Sequence, residues 1–217
     1  MREKNKLIWK RIPKENSKQP NRGTYSDWKE LIAEECFNQC VYCAINEGNF
    51  GGIRNFHIEH YRPKSRFPEL INDIKNLFYA CAICNVFKGN DWPNEPNKKF
   101  SNSSYPNPSE IDYRKLFSID DNKGVLEGKF ISSKYIVERL YLNRPQLILL
   151  RRNFFAFKKV DEYMSFFNRI KPKIEERRDS NSKLFLRKFL NIFYEILSIQ
   201  RQLSKLRPYE EVDIKKK

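Results

Sequence analysis

Short apolar clusters separated by long polar stretches predict where regular structure forms in this chain. Apolar residues recur at helical spacing between Thr24 and Asn38, which predicts a helix with Ser26 as its N-cap. Residues 1–24 show no such periodicity and carry many Lys and Arg side chains. They are therefore predicted to form a basic, polar N-terminal arm.

Prolines and turn residues predict the structure of the middle of the chain. Between Gly89 and Glu110 four prolines are interleaved with Asn and Ser. These residues cannot sustain a helix or a central strand, so we expect a long irregular loop. The Asp-Asn-Lys-Gly run at 121–124 lies between apolar residues and predicts a hairpin over 116–130.

The C-terminal third has a helical pattern from Ser132 onward. Asn143-Arg-Pro145 interrupts it, and a last helix is predicted from Ser182 to about Leu206. An aromatic stripe follows the interruption, and we interpret it as helix packing, because aromatics that stack on RNA bases in sheet domains lie on strands. The stripe comprises Phe154, Phe155, Phe157, Tyr163, Phe166 and Phe167.

Composition and charge narrow the class of protein. The 217 residues are 40% hydrophobic and include only 5 Cys and 7 Gly, which argues against a disulfide-rich secreted scaffold and a collagen-like chain. No apolar run approaches a membrane span, and the N-terminus lacks the apolar core of a secretory signal. We therefore expect a cytoplasmic protein with no membrane partner.

The formal net charge is +15, and it is concentrated at the two ends of the chain, while residues 31–150 are close to neutral. Basic ends of this kind favour a polyanionic partner, above all nucleic acid, since clustered Lys and Arg release counterions from phosphates. A solvated basic face that keeps the protein soluble is the alternative interpretation.

Four of the five cysteines form two Cys-x-x-Cys pairs with 37 residues between them. Two such pairs can direct four thiolates at one ion, which predicts a closed tetrahedral zinc site with a structural role. A redox pair or buried free thiols are the alternative. Cys36 is expected to be a buried helix residue, with a spare ligand as the other possibility. The predicted ligands are Cys40, Cys43, Cys81 and Cys84.

Both histidines of the chain lie between these cysteine pairs, in Asn55-Phe-His57-Ile-Glu59-His60-Tyr-Arg62-Pro-Lys64. In an extended segment His57 and Glu59 face one side and His60 the other. The proline at 63 ends a regular strand and could turn the chain so that Glu59 and His60 converge. Two histidines beside a carboxylate and basic residues point to a functional site.

The second cysteine pair is also embedded in polar residues. Asn76 precedes it on the predicted approach to Cys81, and Asn85 and Lys88 follow Cys84. Because Asn85 directly follows a zinc ligand, the metal would fix its position closely.

This order of residues resembles the HNH endonuclease family: a Cys-x-x-Cys pair, an acidic residue followed by His, Asn-Leu, then Cys-x-x-Cys-Asn and a Lys. The match covers residues 40–88. It implies a ββα-metal motif stapled by zinc. The fold class expected is therefore α+β, with a small zinc-stapled ββα-metal core embedded in a mostly α-helical chain. The expected domains are the arm at 1–24, a nuclease domain at 25–130 and a basic helical region at 131–217.

The resemblance also implies roles for the clustered residues. His60 would be the general base, and Glu59 and Asn85 would hold one Mg²⁺ or Mn²⁺ at the scissile phosphate. Asn76 would orient the loop that carries the base. The implied phosphate contacts are Arg62, Lys64 and Lys88.

Two departures from the family pattern affect the metal site. The acidic ligand is Glu rather than the commoner Asp, and the third position is Asn rather than His, which favours a hard, oxygen-preferring cation. His57 remains open: it could be a hairpin residue, a partner of a ligand, or a metal ligand replacing Glu59.

The segment Glu138-Arg-Leu-Tyr-Leu-Asn-Arg144 and the apolar-basic helix after it are similar to HNH proteins of bacterial anti-phage systems of the Septu type, over about residues 25–207. That resemblance implies a bacterial effector nuclease, DNA as the favoured substrate, and an ATPase subunit as partner, for which the aromatic tail could be the dock. RNA such as tRNA, cleaved by the same chemistry, and a non-catalytic zinc-dependent nucleic-acid-binding subunit remain as alternatives.

Overall fold

A computed structural model of the chain describes residues 9, 11–175 and 180–204. These residues form two compact units, the first comprising the described chain up to Asp120 and Gly124–Ile148 and the second Asp121–Lys123 and the described residues from Leu149. Helix and short antiparallel strands together confirm the α+β class. The helices are α1 Lys29–Glu35, α2 Ala82–Lys88, α3 Ile131–Arg139, α4 Pro145–Glu175 and α5 Ser180–Ser204; the strands are β1 Phe56–His60, β2 Leu77–Cys81, β3 Phe117–Ile119 and β4 Leu126–Gly128.

The centre of the first unit is a two-stranded ribbon followed at once by a helix. Strands β1 and β2 are antiparallel, with Phe56 opposite Cys81 and His60 opposite Leu77. Every residue of β2 is buried, and α2 begins directly after it at Ala82. The predicted ββα core within a mostly helical chain is therefore confirmed.

The first helix is shorter than the sequence predicts. A 3₁₀ turn at 25–28 precedes α1, and Thr24 caps that turn, its backbone N–H donating to the Asp27 carboxylate at 2.8 Å. Ser26 is therefore not the N-cap. The helix ends before Phe37 and Asn38, whose φ values of 57° and 53° lie in the left-handed region, where a right-handed helix cannot continue.

The described part of the N-terminal segment is packed, which differs from the predicted polar arm. Trp9 is buried and its indole N–H donates to the Tyr42 carbonyl at 3.1 Å. Ile12 is buried too, and the buried Lys14 ammonium pairs with Glu35. The sequence does contain the apolar cluster Leu7-Ile-Trp9 and Ile12, but the surrounding basic residues led to the prediction of a polar arm.

Residues 89–112 form no helix or strand, as their prolines predict. The loop is nevertheless anchored to α3 by Asp91. Its carboxylate accepts hydrogen bonds from the hydroxyls of Tyr105, at 2.6 Å, and Tyr135, and Arg139 lies at 3.3 Å. Burial opposes ionisation of Asp91, but these partners outweigh it and hold the pKa of that carboxyl below its ordinary value.

The predicted hairpin is also present, as the antiparallel pair β3 and β4. Gly124 supplies the positive φ, 71°, that its turn requires. At Gly128 a Cβ would lie 2.3 Å from the backbone nitrogen of Lys134, so only glycine lets the hairpin approach α3 this closely. The Asn143 side chain then pairs with the backbone of Leu126 through two hydrogen bonds of 2.8 Å.

The second unit contains most of α4 and all of α5. The predicted last helix is present, beginning at Ser180; Leu206 lies outside the described residues. Phe155 is buried, and Phe167 of α4 stacks on Phe189 of α5 with ring centroids 4.3 Å apart. Both observations agree with the interpretation of the aromatic stripe as helix packing. Other members of the aromatic stripe are 40–44% exposed: Phe154, Tyr163 and Phe166. None of the helices formed by the described residues is long and apolar enough to cross a membrane.

Candidate metal centre and active-site cleft

The four paired cysteines meet at one buried point where the ribbon joins α2. Their sulfur atoms all lie within 4.8 Å of one another, and the Sγ atoms of Cys43 and Cys81 are 3.8 Å apart. A tetrahedron with Zn–S bonds of about 2.3 Å has sulfur–sulfur edges of about 3.8 Å. Four soft thiolates at this spacing fit Zn²⁺ with no open position, as a structural site requires. The group is Cys40, Cys43, Cys81 and Cys84.

Cys36 lies outside this four-sulfur group. It is buried at the end of α1, and that burial raises the pKa of its thiol to about 12. Its sulfur is not among the four that meet at one point. The structure thus favours the buried helix residue over the spare ligand.

His60 is the last residue of β1, and its ring is fixed on two sides. Its Nε2 lies 3.0 Å from the carbonyl oxygen of Ile71, which can only accept a hydrogen bond, so Nε2 carries the proton and Nδ1 the lone pair. The Tyr25 ring packs edge-on against the imidazole, with centroids 4.8 Å apart. Burial lowers the pKa of His60, and the cations Lys64 and Lys88 lower it further.

An open cleft of about 520 Å³ lies over this strand. The structure brings together five of the site residues that the sequence singled out, since the cleft is lined by His57, Glu59, His60, Lys64 and Asn85. The cleft also has basic residues along its wall, namely Lys29, Arg54 and Lys64.

Glu59 is almost completely buried at the cleft floor, 3% exposed. Its Oε1 lies 2.5 Å from the Lys88 ammonium and accepts a hydrogen bond from the Tyr42 hydroxyl at 3.2 Å. Burial raises the pKa of Glu59, and the Lys88 charge opposes that rise. Within the described residues no hydrogen bond reaches Oε2, which leaves that oxygen for a cation.

Lys88 is placed differently from the phosphate contact that the sequence predicted. Its side chain is fully buried, and the ammonium donates to the His60 carbonyl oxygen at 3.0 Å besides pairing with Glu59. A fully buried ammonium with these partners cannot reach a phosphate in the cleft. From α2, Lys88 instead holds the Glu59 carboxylate and the His60 backbone carbonyl in place.

Asn76 holds the chain that leaves β1. Its Oδ1 accepts from the Arg62 backbone N–H at 2.8 Å, and its Nδ2 donates to the carbonyls of Arg62 and Leu70 at 3.1 and 3.3 Å. The Tyr61 N–H donates to the Asn76 backbone carbonyl at 2.9 Å. These hydrogen bonds from the Asn76 side chain and backbone fix the direction in which the chain continues after His60.

Asn85 and His57 differ from these fixed residues. Asn85 is partly buried on α2, and His57 is exposed on β1. Neither side chain makes a hydrogen bond to another described residue, and both line the cleft. Their oxygen and nitrogen atoms are therefore open to a ligand from the cleft.

The remaining two predicted phosphate contacts, the half-buried Arg62 and the exposed Lys64, each have a partner. Arg62 pairs with Glu95 at 2.9 Å, and the Lys64 ammonium donates to the Tyr25 hydroxyl at 3.2 Å. Of the two, Lys64 lines the cleft. An ion pair with this much exposure is weak, so Arg62 can exchange Glu95 for a phosphate at little cost.

The cleft residues that the sequence did not single out include one aromatic and two basic side chains, Tyr25, Lys29 and Arg54. They lie outside the histidine and cysteine segments, on the N-terminal turn, on α1 and just before β1. The basic character of the first 30 residues pointed to this region in general, but no spacing indicated which side chains would meet His60.

The comparisons with known proteins agree with this geometry. Residues 40–91 match the family model described as HNH endonuclease, a range that contains all four zinc-type cysteines and His60. The resemblance to the HNH endonuclease family is thereby confirmed. The chain is also similar to the Septu protein PtuB of Bacillus thuringiensis, with 28% identity over 134 residues. That match covers 61% of this chain and 48%, about half, of the relative.

Proposed function

We propose that this chain is a metal-dependent HNH endonuclease that hydrolyses phosphodiester bonds, with DNA as the favoured substrate. The observation that carries the proposal is the His60 imidazole, held by the Ile71 carbonyl in the tautomer that leaves Nδ1 as an acceptor, in a cleft that also contains Glu59 and Asn85. A base, two oxygen ligands and a basic wall are the groups that phosphodiester hydrolysis requires.

His60 is the general base in this proposal. Its Nδ1 accepts the proton of a water molecule whose oxygen attacks the phosphorus, while Nε2–H keeps its hydrogen bond to Ile71. The bond from phosphorus to the leaving sugar oxygen breaks, and that oxygen takes a proton from solvent. The carbonyl of Ile71 then stabilises the imidazolium that forms. Because burial lowers the pKa of His60, the imidazole is neutral and able to accept a proton at neutral pH.

Glu59 Oε2 and the Asn85 amide oxygen are the proposed ligands of one Mg²⁺ or Mn²⁺. Hard cations prefer such oxygen donors, and the cation supplies charge stabilisation at the scissile phosphate. Lys88 holds Glu59 in place from behind through Oε1. His57, exposed on the same strand, is a further candidate ligand.

The basic residues along the cleft are the proposed contacts for the substrate backbone. Lys29, Arg54 and Lys64 line it, and Arg62 lies on the loop just beyond β1. Contacts to phosphates position a nucleic acid without reading its sequence. The alternative substrate is therefore RNA such as tRNA, cut by the same residues.

We further propose that the protein is the effector nuclease of a bacterial anti-phage complex that contains an ATPase subunit. The likeness to a Septu protein supports this role. Exposed aromatic residues on α4, including Tyr163 and Phe166, are compatible with a protein partner there.

The test is cleavage by the purified protein of plasmid DNA and of tRNA, each with Mg²⁺ or Mn²⁺. We expect cleavage of DNA that disappears in His60→Ala and persists in Lys98→Ala, whose lysine is exposed away from the cleft. Cleavage of tRNA alone would favour the RNA alternative. Nucleic-acid binding with no cleavage, both alone and with the ATPase subunit, would favour a non-catalytic binding subunit.

A further inference from the structure

Arg144 lies directly against the four-sulfur group. Its Nη2 is 3.8 Å from the Sγ atoms of Cys43 and Cys81 and 3.7 Å from that of Cys84, and its Nη1 is also 3.7 Å from Cys84. One guanidinium therefore touches three of the four sulfurs. These distances are within reach of N–H···S hydrogen bonds.

The guanidinium is fixed in this position by the turn that connects α3 to α4. Arg144 directly precedes Pro145, the first residue of α4, and its Nη1 donates to the carbonyls of Leu140 and Tyr141 at 3.3 and 3.4 Å. Those carbonyls are at the C-terminal end of α3, where a positive charge is favoured. The turn thus presents the arginine to the sulfurs in one orientation.

The charge of the metal site explains why an arginine belongs there. Four thiolates and one Zn²⁺ carry a formal charge of about −2, and the group is buried. A buried negative charge is costly unless a positive group compensates it. The planar fork of arginine can donate to several sulfurs at once, which the single ammonium of lysine does less well.

We propose that Arg144 is the electrostatic partner of the zinc–thiolate centre and that its N–H groups retain the metal. The N–H groups hold three of the sulfurs in place and offset part of their negative charge, so zinc is expected to be released more slowly. This role concerns zinc retention and does not depend on whether the cleft cuts nucleic acid.

The test is zinc release from purified holoprotein into excess chelator, for the wild type, Arg144→Gln and Arg144→Lys. Arg152→Gln is the matched control, because Arg152 is exposed on α4. We expect release about tenfold faster in Arg144→Gln and an intermediate acceleration in Arg144→Lys, as is usual when a hydrogen bond to a ligand is removed. Release within twofold of the wild type in both Arg144 variants would overturn the proposal.

A spectroscopic readout separates this role from a merely structural one at the turn. In protein loaded with Co²⁺ instead of zinc, loss of N–H donors to the thiolates should move the sulfur-to-cobalt charge-transfer band to lower energy. A lower melting temperature with an unchanged band and unchanged release would show that Arg144 only stabilises the turn. If Arg144→Gln does not fold, the same two measurements on Arg144→Lys decide the question.

Discussion

Replacing Lys88 by methionine should cost much more stability than replacing an exposed lysine. The Lys88 side chain is fully buried and Glu59 is 3% exposed, so the substitution leaves a buried carboxylate without its cation. Breaking a buried pair from one side costs about 3–5 kcal/mol, whereas removing both charges together is often close to neutral. We therefore expect a loss of about 3–5 kcal/mol in Lys88→Met and a smaller loss in Lys88→Met combined with Glu59→Gln.

The measurement is urea unfolding of the zinc-loaded protein, with the free energy of unfolding taken from the linear dependence on urea. Lys98→Met is the matched control, since Lys98 is exposed. The four proteins of the Lys88 and Glu59 cycle give the coupling energy between the two residues. A loss below about 1 kcal/mol in Lys88→Met, or additive losses in the double variant, would refute the buried ion pair.

Four further changes have defined outcomes. His60→Ala should abolish cleavage while zinc content and circular dichroism stay at wild-type values; full cleavage would refute the base. Cys81→Ser should lower zinc content and solubility together, and a well-folded zinc-free variant would contradict a structural metal. Asn76→Ala should cost about 1–3 kcal/mol in urea unfolding and slow cleavage, because the Arg62 peptide groups lose their partner. Asp91→Asn should cost about 1–3 kcal/mol, since hydrogen bonds to a charged group are lost; an unchanged unfolding midpoint would rule out the anchoring role.

Residues with a fixed spacing or a strong local preference could be predicted from the sequence. The two Cys-x-x-Cys pairs predicted the four-sulfur cluster, because two intervening residues restrict where the thiolates can point. The prolines after Gly89 predicted an irregular loop, and the Asp-Asn-Lys-Gly run predicted the hairpin. In each case the signal is contained within a few consecutive residues.

Contacts between residues far apart in the chain could not be predicted from the sequence, because no short run of residues indicates them. Lys88 resembled a phosphate contact because it is a cation beside Asn85, and only the fold shows that it turns inward to Glu59. Trp9 and Ile12 belong to a short apolar cluster, Leu7-Ile-Trp9 and Ile12, among many basic residues, and a cluster this short did not stand out as a buried element. Arg144 is 60 residues or more from the cysteines it touches.

The central claim is that His60 is the base and that Glu59 and Asn85 hold the cation. Two measurements on His60→Ala and Asn85→Ala test it most directly. These are single-turnover cleavage of plasmid DNA and Mn²⁺ occupancy by electron paramagnetic resonance. The account predicts that His60→Ala loses cleavage but keeps Mn²⁺, whereas Asn85→Ala loses both. Cleavage by His60→Ala at the wild-type rate, or wild-type Mn²⁺ occupancy in Asn85→Ala, would contradict it.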